Sequence, residues 1–325
     1  MADATTAKTA GDPKAGGVVF DIGYQRYAGP REGRRRARLA VYKDGFRKVL
    51  GLGRGAKAKL LPWACILVMV GISIVMSAMA GFGQRALGEA GAEMVPGTSH
   101  YFYYSFFGLN ILFIFAALVA PRLLCPDRRN LTLHLYLVRP LTATDYVQAR
   151  WAAFLTVMVL VAWVPQFVLL AGRVLGHPEP LTYLDANWTD IPKFLLAGVA
   201  MAAMVTSVSM LASGLVTRRG YASVLLIALF VIPNAVTAPF AFNPQFQWVS
   251  VFSLGDILGE TNKLIFNGVE EAAEAGTQME QAFEELEELD TAPTRFSPAF
   301  LLAAYFGWLL APGAILWMYY RRLRL

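Results

Sequence analysis

The chain has 325 residues, of which 56% are hydrophobic and 16% are charged, with a formal net charge of +6. Soluble domains carry about 25% charged residues, so this composition excludes an ordinary soluble protein and is typical of an integral membrane protein. The two cysteines, Cys65 and Cys125, and three scattered histidines offer neither a disulfide framework nor the ligand spacing of a metal site.

The N-terminal 59 residues precede the first long apolar stretch. Residues 1–17 are small and polar without an apolar core, which predicts a disordered cytoplasmic tail rather than a cleavable signal peptide. Residues 18–59 form a cytoplasmic segment, and within it residues 35–50 have the pattern of an amphipathic helix lying in the membrane interface. Its predicted apolar face comprises Leu39, Tyr42, Phe46, Val49 and Leu50.

Six stretches contain no Asp, Glu, Lys or Arg, and each is long enough to cross a bilayer, which takes about 20 apolar residues in a helix. They are residues 60–81, 101–121, 151–172, 194–216, 221–242 and 299–319. The aromatic residues that open the second stretch, between Tyr101 and Phe107, predict an interfacial aromatic belt there.

The basic residues predict which side each end faces. Of the 29 Lys and Arg residues, 24 lie in segments 1–59, 122–150, 217–220 and 320–325. Because basic residues flanking spans are retained in the cytoplasm, both termini and the 122–150 loop are predicted to be cytoplasmic. This topology, with attraction to anionic membrane lipid, explains the basic N-terminus without nucleic-acid binding.

Two connections are too distinctive to be plain turns. Segment 122–150 is interpreted as a force-receiving loop pushed by a separate motor subunit. The residues predicted to couple it to that motor are Asp127, Arg128, Arg129, Leu133, Leu137, Arg139 and Pro140. In the external segment 243–297, short apolar pieces suggest re-entrant or interfacial helices. The acidic stretch 269–290 is interpreted as a solvated lid or as a docking surface for an external partner.

The chemistry missing from the chain limits its function. No charged residue lies in the six apolar stretches, so the relay of an ion-driven carrier is absent. Hydrolase motifs and a nucleotide-binding loop are also absent, so the chain is predicted not to be an enzyme, and energy for uphill transport must come from another chain. A substrate path could use the polar residues of the spans, namely Asn110, Gln166, Thr206, Ser209, Asn234 and Thr237.

The run Asp127-Arg128-Arg129-Asn130-Leu131-Thr132-Leu133-His134-Leu135-Tyr136-Leu137-Val138-Arg139-Pro140-Leu141 resembles the coupling segment of permease subunits of type-2 ABC exporters. The stretch FDIGYQRYAGPREGRR is similar to the N-terminus of a bacterial subset of them. Asp127 stands where that family often has Glu, and Asn130 where it often has Gly. The order of features over residues 18–325 carries the resemblance.

This resemblance implies an all-α integral membrane protein with six transmembrane helices, an N-terminal elbow helix, a cytoplasmic coupling helix and external re-entrant helices. It also implies a bacterial plasma-membrane exporter, and the absence of charge in the six apolar stretches favours a lipophilic or amphipathic substrate. Its partners would be an ABC ATPase subunit, which holds the ATP and Mg²⁺, and a second identical or homologous permease; this chain itself would bind no cofactor. The alternative is a mechanotransmitter or maturation factor that acts on an external protein without bulk transport.

Overall fold

Helices make up all the regular structure in the described part of the chain, where no strand occurs. This computed structural model describes residues 29, 33–53, 55–87, 99–130, 132, 141–240, 244–266 and 296–322. The chain divides into two units, Met1–Glu32 and Gly33–Leu325, and every helix named below lies in the second.

The helices are numbered here in chain order. They are α1 (Gly33–Val49), α2 (Ala56–Leu87), α3 (His100–Arg129), α4 (Ala143–Gly176), α5 (Pro180–Ala186), α6 (Asp190–Leu215), α7 (Arg219–Thr237), α8 (Leu254–Phe266) and α9 (Pro298–Arg322). A π-helical stretch, Tyr103–Gly108, lies within α3. The 3-10 turn Ala238–Phe240 extends α7, and a second 3-10 segment, Pro244–Phe252, precedes α8.

Six of these helices are long and apolar enough to cross a membrane, namely α2, α3, α4, α6, α7 and α9. The prediction of an all-helical chain with six helices long and apolar enough to cross a membrane is therefore confirmed within the described residues. Helices α3 and α4 run well past the predicted stretches 101–121 and 151–172, because a lack of charge marks only the apolar middle of each helix. Part of the predicted 122–150 loop is therefore helical, since residues 122–129 belong to α3 and residues 143–150 belong to α4.

The start of α4 has a local cause that can be read in the sequence. Thr142 Oγ1 accepts a hydrogen bond from the Asp145 backbone N–H, and Asp145 Oδ2 accepts one from the Thr142 N–H at 3.1 Å. This reciprocal capping box satisfies donors that the first helical turn leaves unpaired. Helix α4 therefore begins eight residues before Trp151, where the apolar stretch starts.

Helix α1 packs on protein along part of the face that was predicted to enter the membrane. Tyr42, Phe46 and Leu50 contact the apolar core, whereas Leu39 is 43% exposed. The contact with α4 is close at Gly45, where an added Cβ would lie 2.9 Å from Ala153 Cβ. Bulkier side chains at this crossing would separate α1 from α4.

The buried centre of the bundle consists of α3, α4 and α6. In the most apolar 18-residue window of each, 67%, 50% and 72% of the residues are buried, against 11% in α7. The tyrosines at the start of α3 join this centre: Tyr104 donates a hydrogen bond to the Phe194 carbonyl at 3.1 Å, and Tyr103 to the Met69 carbonyl at 3.0 Å. The predicted aromatic belt is thus wrong for these tyrosines, whose rings pack inside the bundle.

The segment between α7 and α9 folds back onto the bundle. Helix α8 has 13 residues, a length of about 20 Å, which is too short to cross a bilayer. Asn262 Nδ2 donates a hydrogen bond to Ser105 Oγ in α3 at 2.8 Å, and Trp308 Nε1 in α9 donates one to the Val251 carbonyl at 2.9 Å. The acidic stretch 269–290 lies outside the described residues.

Candidate functional site: a charge cluster at one end of the bundle

Several helix ends meet at one end of the bundle. Helix α1 lies beside the end of α3 and the start of α4, and the end of α9 contacts both. Trp317 Nε1 in α9 donates a hydrogen bond to Thr144 Oγ1 in α4 at 3.0 Å. The rings of Tyr320 and Tyr146 are stacked with their centroids 6.0 Å apart. We call this region the basic end, because the arginine-rich α1 and the C-terminal arginines of α3 and α9 lie there.

Arg150 bridges two helices from a fully buried position in α4. Its Nη1 lies 2.8 Å from Asp44 Oδ2 in α1, and its Nη2 lies 2.8 Å from Asp127 Oδ2 in α3. The Arg150 side chain has 0% exposure and that of Asp127 has 7%. A guanidinium presents separate donors in a fixed fork, so one cation can pair with two carboxylates at once. Arg150 therefore links α1, α3 and α4.

Further polar groups complete this cluster. The Tyr146 hydroxyl donates a hydrogen bond to Asp127 Oδ2 at 2.7 Å. Lys48 Nζ lies 2.8 Å from Asp44 Oδ2 and 3.6 Å from Asp127 Oδ1. Two carboxylates thus face two cations and a hydroxyl, which offsets the desolvation cost of burying the charges.

The charges of this cluster act on the pKa of the Asp44 carboxyl. Partial burial acts to raise its pKa, but the hydrogen bond from Lys48 and the charge of Arg150 outweigh burial, and the pKa of Asp44 is lowered below its usual value of 3.8. Asp44 is therefore ionised at neutral pH, and its pairs with Lys48 and Arg150 are intact there.

A second ionic contact joins α1 to the start of α4. Arg34 Nε donates a hydrogen bond to Asp145 Oδ2 at 2.6 Å, and Arg38 Nη1 lies 3.7 Å from Asp145 Oδ1. The hydrogen bond to Asp145 raises the pKa of Arg34. Because the arginines are about half exposed, solvent screens these pairs, and their main effect is to fix the position of α1.

Three of the predicted coupling residues, Asp127, Arg128 and Arg129, lie in the described part of the chain, at the end of α3. Asp127 is buried against Arg150. Arg128 donates a hydrogen bond to the Gly214 carbonyl and another to the Tyr319 hydroxyl at 2.8 Å, and its guanidinium lies 5.2 Å from the Tyr319 ring centroid. Both side chains are thus engaged within the chain, and of the predicted acidic-arginine group only Arg129 is exposed. Leu133, Leu137, Arg139 and Pro140 lie outside the described residues.

The residues predicted to line a substrate path do not form one group. Asn110 is exposed and its Nδ2 donates a hydrogen bond to the Phe106 carbonyl in its own helix at 2.9 Å. Gln166 is fully buried, with Oε1 2.5 Å from His100 Nδ1. No hydrogen bond in the described part of the chain joins Asn110 to Gln166 or either residue to the polar side chains of α6 and α7.

The other four predicted path residues form two pairs. Thr206 and Ser209 are fully buried in α6, and neither hydroxyl has a hydrogen-bond partner among the described residues. In α7, Thr237 Oγ1 donates to the Asn234 carbonyl at 3.2 Å, and Asn234 Oδ1 accepts from Ser253 Oγ at 2.7 Å. The α7 pair therefore ties the segment before α8 to the end of a span.

Sequence reasoning missed the residue at the centre of the cluster. Helices α3 and α4 extend beyond the uncharged stretches, so that α3 contains Asp127 and α4 contains Asp145 and Arg150. The T-x-x-D pattern at 142–145 is a local signal that α4 starts early and takes Arg150 into the helix. The pairing of Arg150 with Asp44 has no such signal, because it depends on how α1 packs.

Comparison with known proteins adds no family assignment: no protein-family model matches the chain, and no curated protein is significantly similar to it.

Proposed function

We propose that this chain is the permease subunit of an ATP-driven type-2 ABC exporter that moves a lipophilic or amphipathic substrate with energy from a separate ATPase subunit. In this proposal the ATPase pushes on the connection between α3 and α4, which acts as the coupling element. The observation that carries it is the ionic linkage of α1, α3 and α4 directly beside that connection.

The mechanical argument rests on the buried pair between Arg150 and Asp127. Separating a buried ion pair leaves uncompensated charge in a poorly solvated site, so the two helices resist being pulled apart. Residues 130–142 connect these same two helices. A push on the connection would therefore displace α3 and α4 together, and α1 would follow through Asp44.

The membrane orientation follows from the same end of the bundle. We assign the basic end to the cytoplasm because positively charged flanks are retained there, which places both chain termini and the α3–α4 connection on the inner side of a bacterial plasma membrane. Helix α1 then corresponds to the elbow helix, with its exposed arginines at lipid head groups. Helix α8 corresponds to an external re-entrant helix, since it is short and packs back onto α3.

The substrate class follows from the polarity of the spans. Away from their ends these helices offer hydroxyl and amide groups, such as the buried Thr206 and Ser209, rather than ionised groups. Such a surface suits cargo with large apolar parts and few charges, because ionic cargo would lack a counter-charge in the membrane. A second permease copy would complete the path.

The test is copurification and coupled ATP hydrolysis. The tagged full-length chain, expressed in its native host and purified from the membranes, should copurify with a nucleotide-hydrolysing subunit. Leu133→Asp/Leu137→Asp should abolish this association because these leucines are the predicted apolar anchor. The matched control is Leu175→Asp/Leu181→Asp, which changes two exposed leucines at the far end of the bundle. The proposal would be refuted if no ATPase copurified, or if ATP hydrolysis remained coupled to the chain in the Leu133→Asp/Leu137→Asp variant.

A further inference from the structure

A pocket of about 700 Å³ opens at the basic end, between the end of α3 and the turn that joins α6 to α7. Arg129 and Asn130 line it from the α3 side, and Thr217, Arg218 and Arg219 line it from the turn. Its volume lies within the range of about 300–1,000 Å³ that is usual for small-molecule sites.

The electrostatics of this pocket favour an anion. Among the described residues, its lining includes three arginines and neither Asp nor Glu. Within the described residues, none of these arginines has a carboxylate within ion-pair distance, in contrast to Arg150 and Arg34 in the neighbouring cluster. Arg218 instead lies over the Tyr221 ring, 5.9 Å from its centroid. Concentrated positive charge without an internal counter-charge attracts negatively charged ligands.

Backbone groups add to this preference. Helix α7 begins at Arg219, and its N-cap residue, Arg218, makes no side-chain capping hydrogen bond. The first-turn N–H groups of a helix have no partner within the helix, and together with the helix dipole they favour a phosphate or carboxylate. The start of α7 thus reinforces the three arginines.

The surroundings of the pocket indicate what carries the anion. Leu215, Tyr221 and Val224 lie near it in sequence, on α6 and α7, and are 45%, 64% and 65% exposed. Helix α7 is the least buried of the candidate spans. A ligand with its phosphate in the pocket and hydrocarbon chains along α7 would cover both surfaces, and a phospholipid has this shape.

We infer that this pocket binds the phosphate head group of an anionic phospholipid, held by Arg129, Arg218 and Arg219, with its acyl chains along α7. The inference does not depend on the proposed export function, because it rests on the charge and position of the pocket. A lipid at this site would bridge α3 to the α6–α7 turn.

The experiment measures lipid binding to the purified full-length chain by native mass spectrometry, with phosphatidylglycerol as the probe and phosphatidylcholine as the neutral-head-group comparison. Arg129→Gln/Arg218→Gln/Arg219→Gln should weaken phosphatidylglycerol binding by about tenfold or more, since each arginine near the membrane surface contributes to anionic-lipid affinity. The charge-matched control is Arg35→Gln/Arg47→Gln/Arg322→Gln, which removes three exposed arginines of α1 and α9. The control should keep the tight site.

Each outcome decides the inference. Equal losses in the pocket variant and the control would show diffuse attraction and overturn a defined site. Equal affinity for phosphatidylcholine would overturn recognition of an anionic head group. Loss of inorganic phosphate binding in the pocket variant with unchanged phosphatidylglycerol binding would retain the phosphate chemistry but overturn the lipid as its source. Unchanged thermal unfolding of the variants, whose substituted side chains are exposed, shows that a lost lipid adduct reflects the pocket and not misfolding.

Discussion

Replacing Arg150 tests the charge cluster most directly. Arg150→Met keeps an unbranched apolar stem but removes the guanidinium, which leaves Asp127, whose side chain is 7% exposed, without its closest cation. Removing one partner of a buried pair costs about 3–5 kcal/mol. We expect the lower limit, about 3 kcal/mol, because Lys48 and Tyr146 still contact Asp127 and because solvent screens the half-exposed Asp44. The free energy of unfolding, measured by tryptophan fluorescence during titration with a denaturing detergent, reports the loss.

Companion variants separate the pair from its surroundings. Asp127→Asn in the Arg150→Met background should cost less than the sum of the two single changes, by about 2 kcal/mol, because the double variant leaves no unpaired charge. Arg150→Lys should cost about half as much as Arg150→Met, since one ammonium cannot present the separate donors that reach both carboxylates. Arg47→Met, at an exposed α1 position, should change stability by less than about 0.5 kcal/mol. An Arg150→Met protein within about 0.5 kcal/mol of wild type would refute a structural role for the cluster.

Three further predictions concern the packing of α2 against α4 and the position of α1. Gly172→Val should lower the unfolding temperature in the same detergent, because a Cβ at Gly172 overlaps the Ser77 side chain, whereas Gly307→Val, with open space around it, should not. The lowered pKa of Asp44 means that its ion pairs are present above its usual pKa of 3.8 and are lost only as pH falls below that value. A spin label on an exposed α1 position should therefore become mobile in that acidic range and stay immobile from pH 5 to 8. Asp145→Ala should loosen α1 and fray the start of α4 together, visible as faster amide hydrogen exchange in both helices, whereas a change confined to one helix would contradict the shared role.

The number of helices long and apolar enough to cross a membrane was predictable because its signal is local. Each uncharged stretch long enough to span a bilayer corresponds to a helix, as between Trp151 and Gly172 in α4. The helix ends were not predictable from hydropathy, since α3 and α4 continue through charged residues that find partners only in the folded chain. Arg150 illustrates this limit: by composition it belongs to a loop, whereas Asp44 and Asp127 make it a buried residue of a helix.

The predicted aromatic belt was wrong for the tyrosines at the start of α3 for a related reason. A cluster of aromatic residues at the end of an apolar stretch fits an interfacial belt and a packed core equally well, because tyrosine has an apolar ring and a polar hydroxyl. Tyr104 reaches the Phe194 carbonyl in α6, and Gly198 in the same helix leaves room for its hydroxyl. Only the contact between α3 and α6 decides between the two arrangements, and the local sequence pattern does not predict that contact.

The charge cluster and the basic pocket lie on two sides of the same helix end. Asp127 turns from α3 toward α1 and α4, whereas Arg129, two residues later, lines the pocket beside the α6–α7 turn. Arg128 between them is fixed to Gly214 and Tyr319, so α6 and α9 also meet the end of α3. A displacement of this helix end would therefore act on α4 through a buried ion pair and on α6 through the Arg128 hydrogen bond. Weakening the Arg128 contact should release α6 without loosening α1, which separates the two routes by which a push at the α3–α4 connection would enter the bundle.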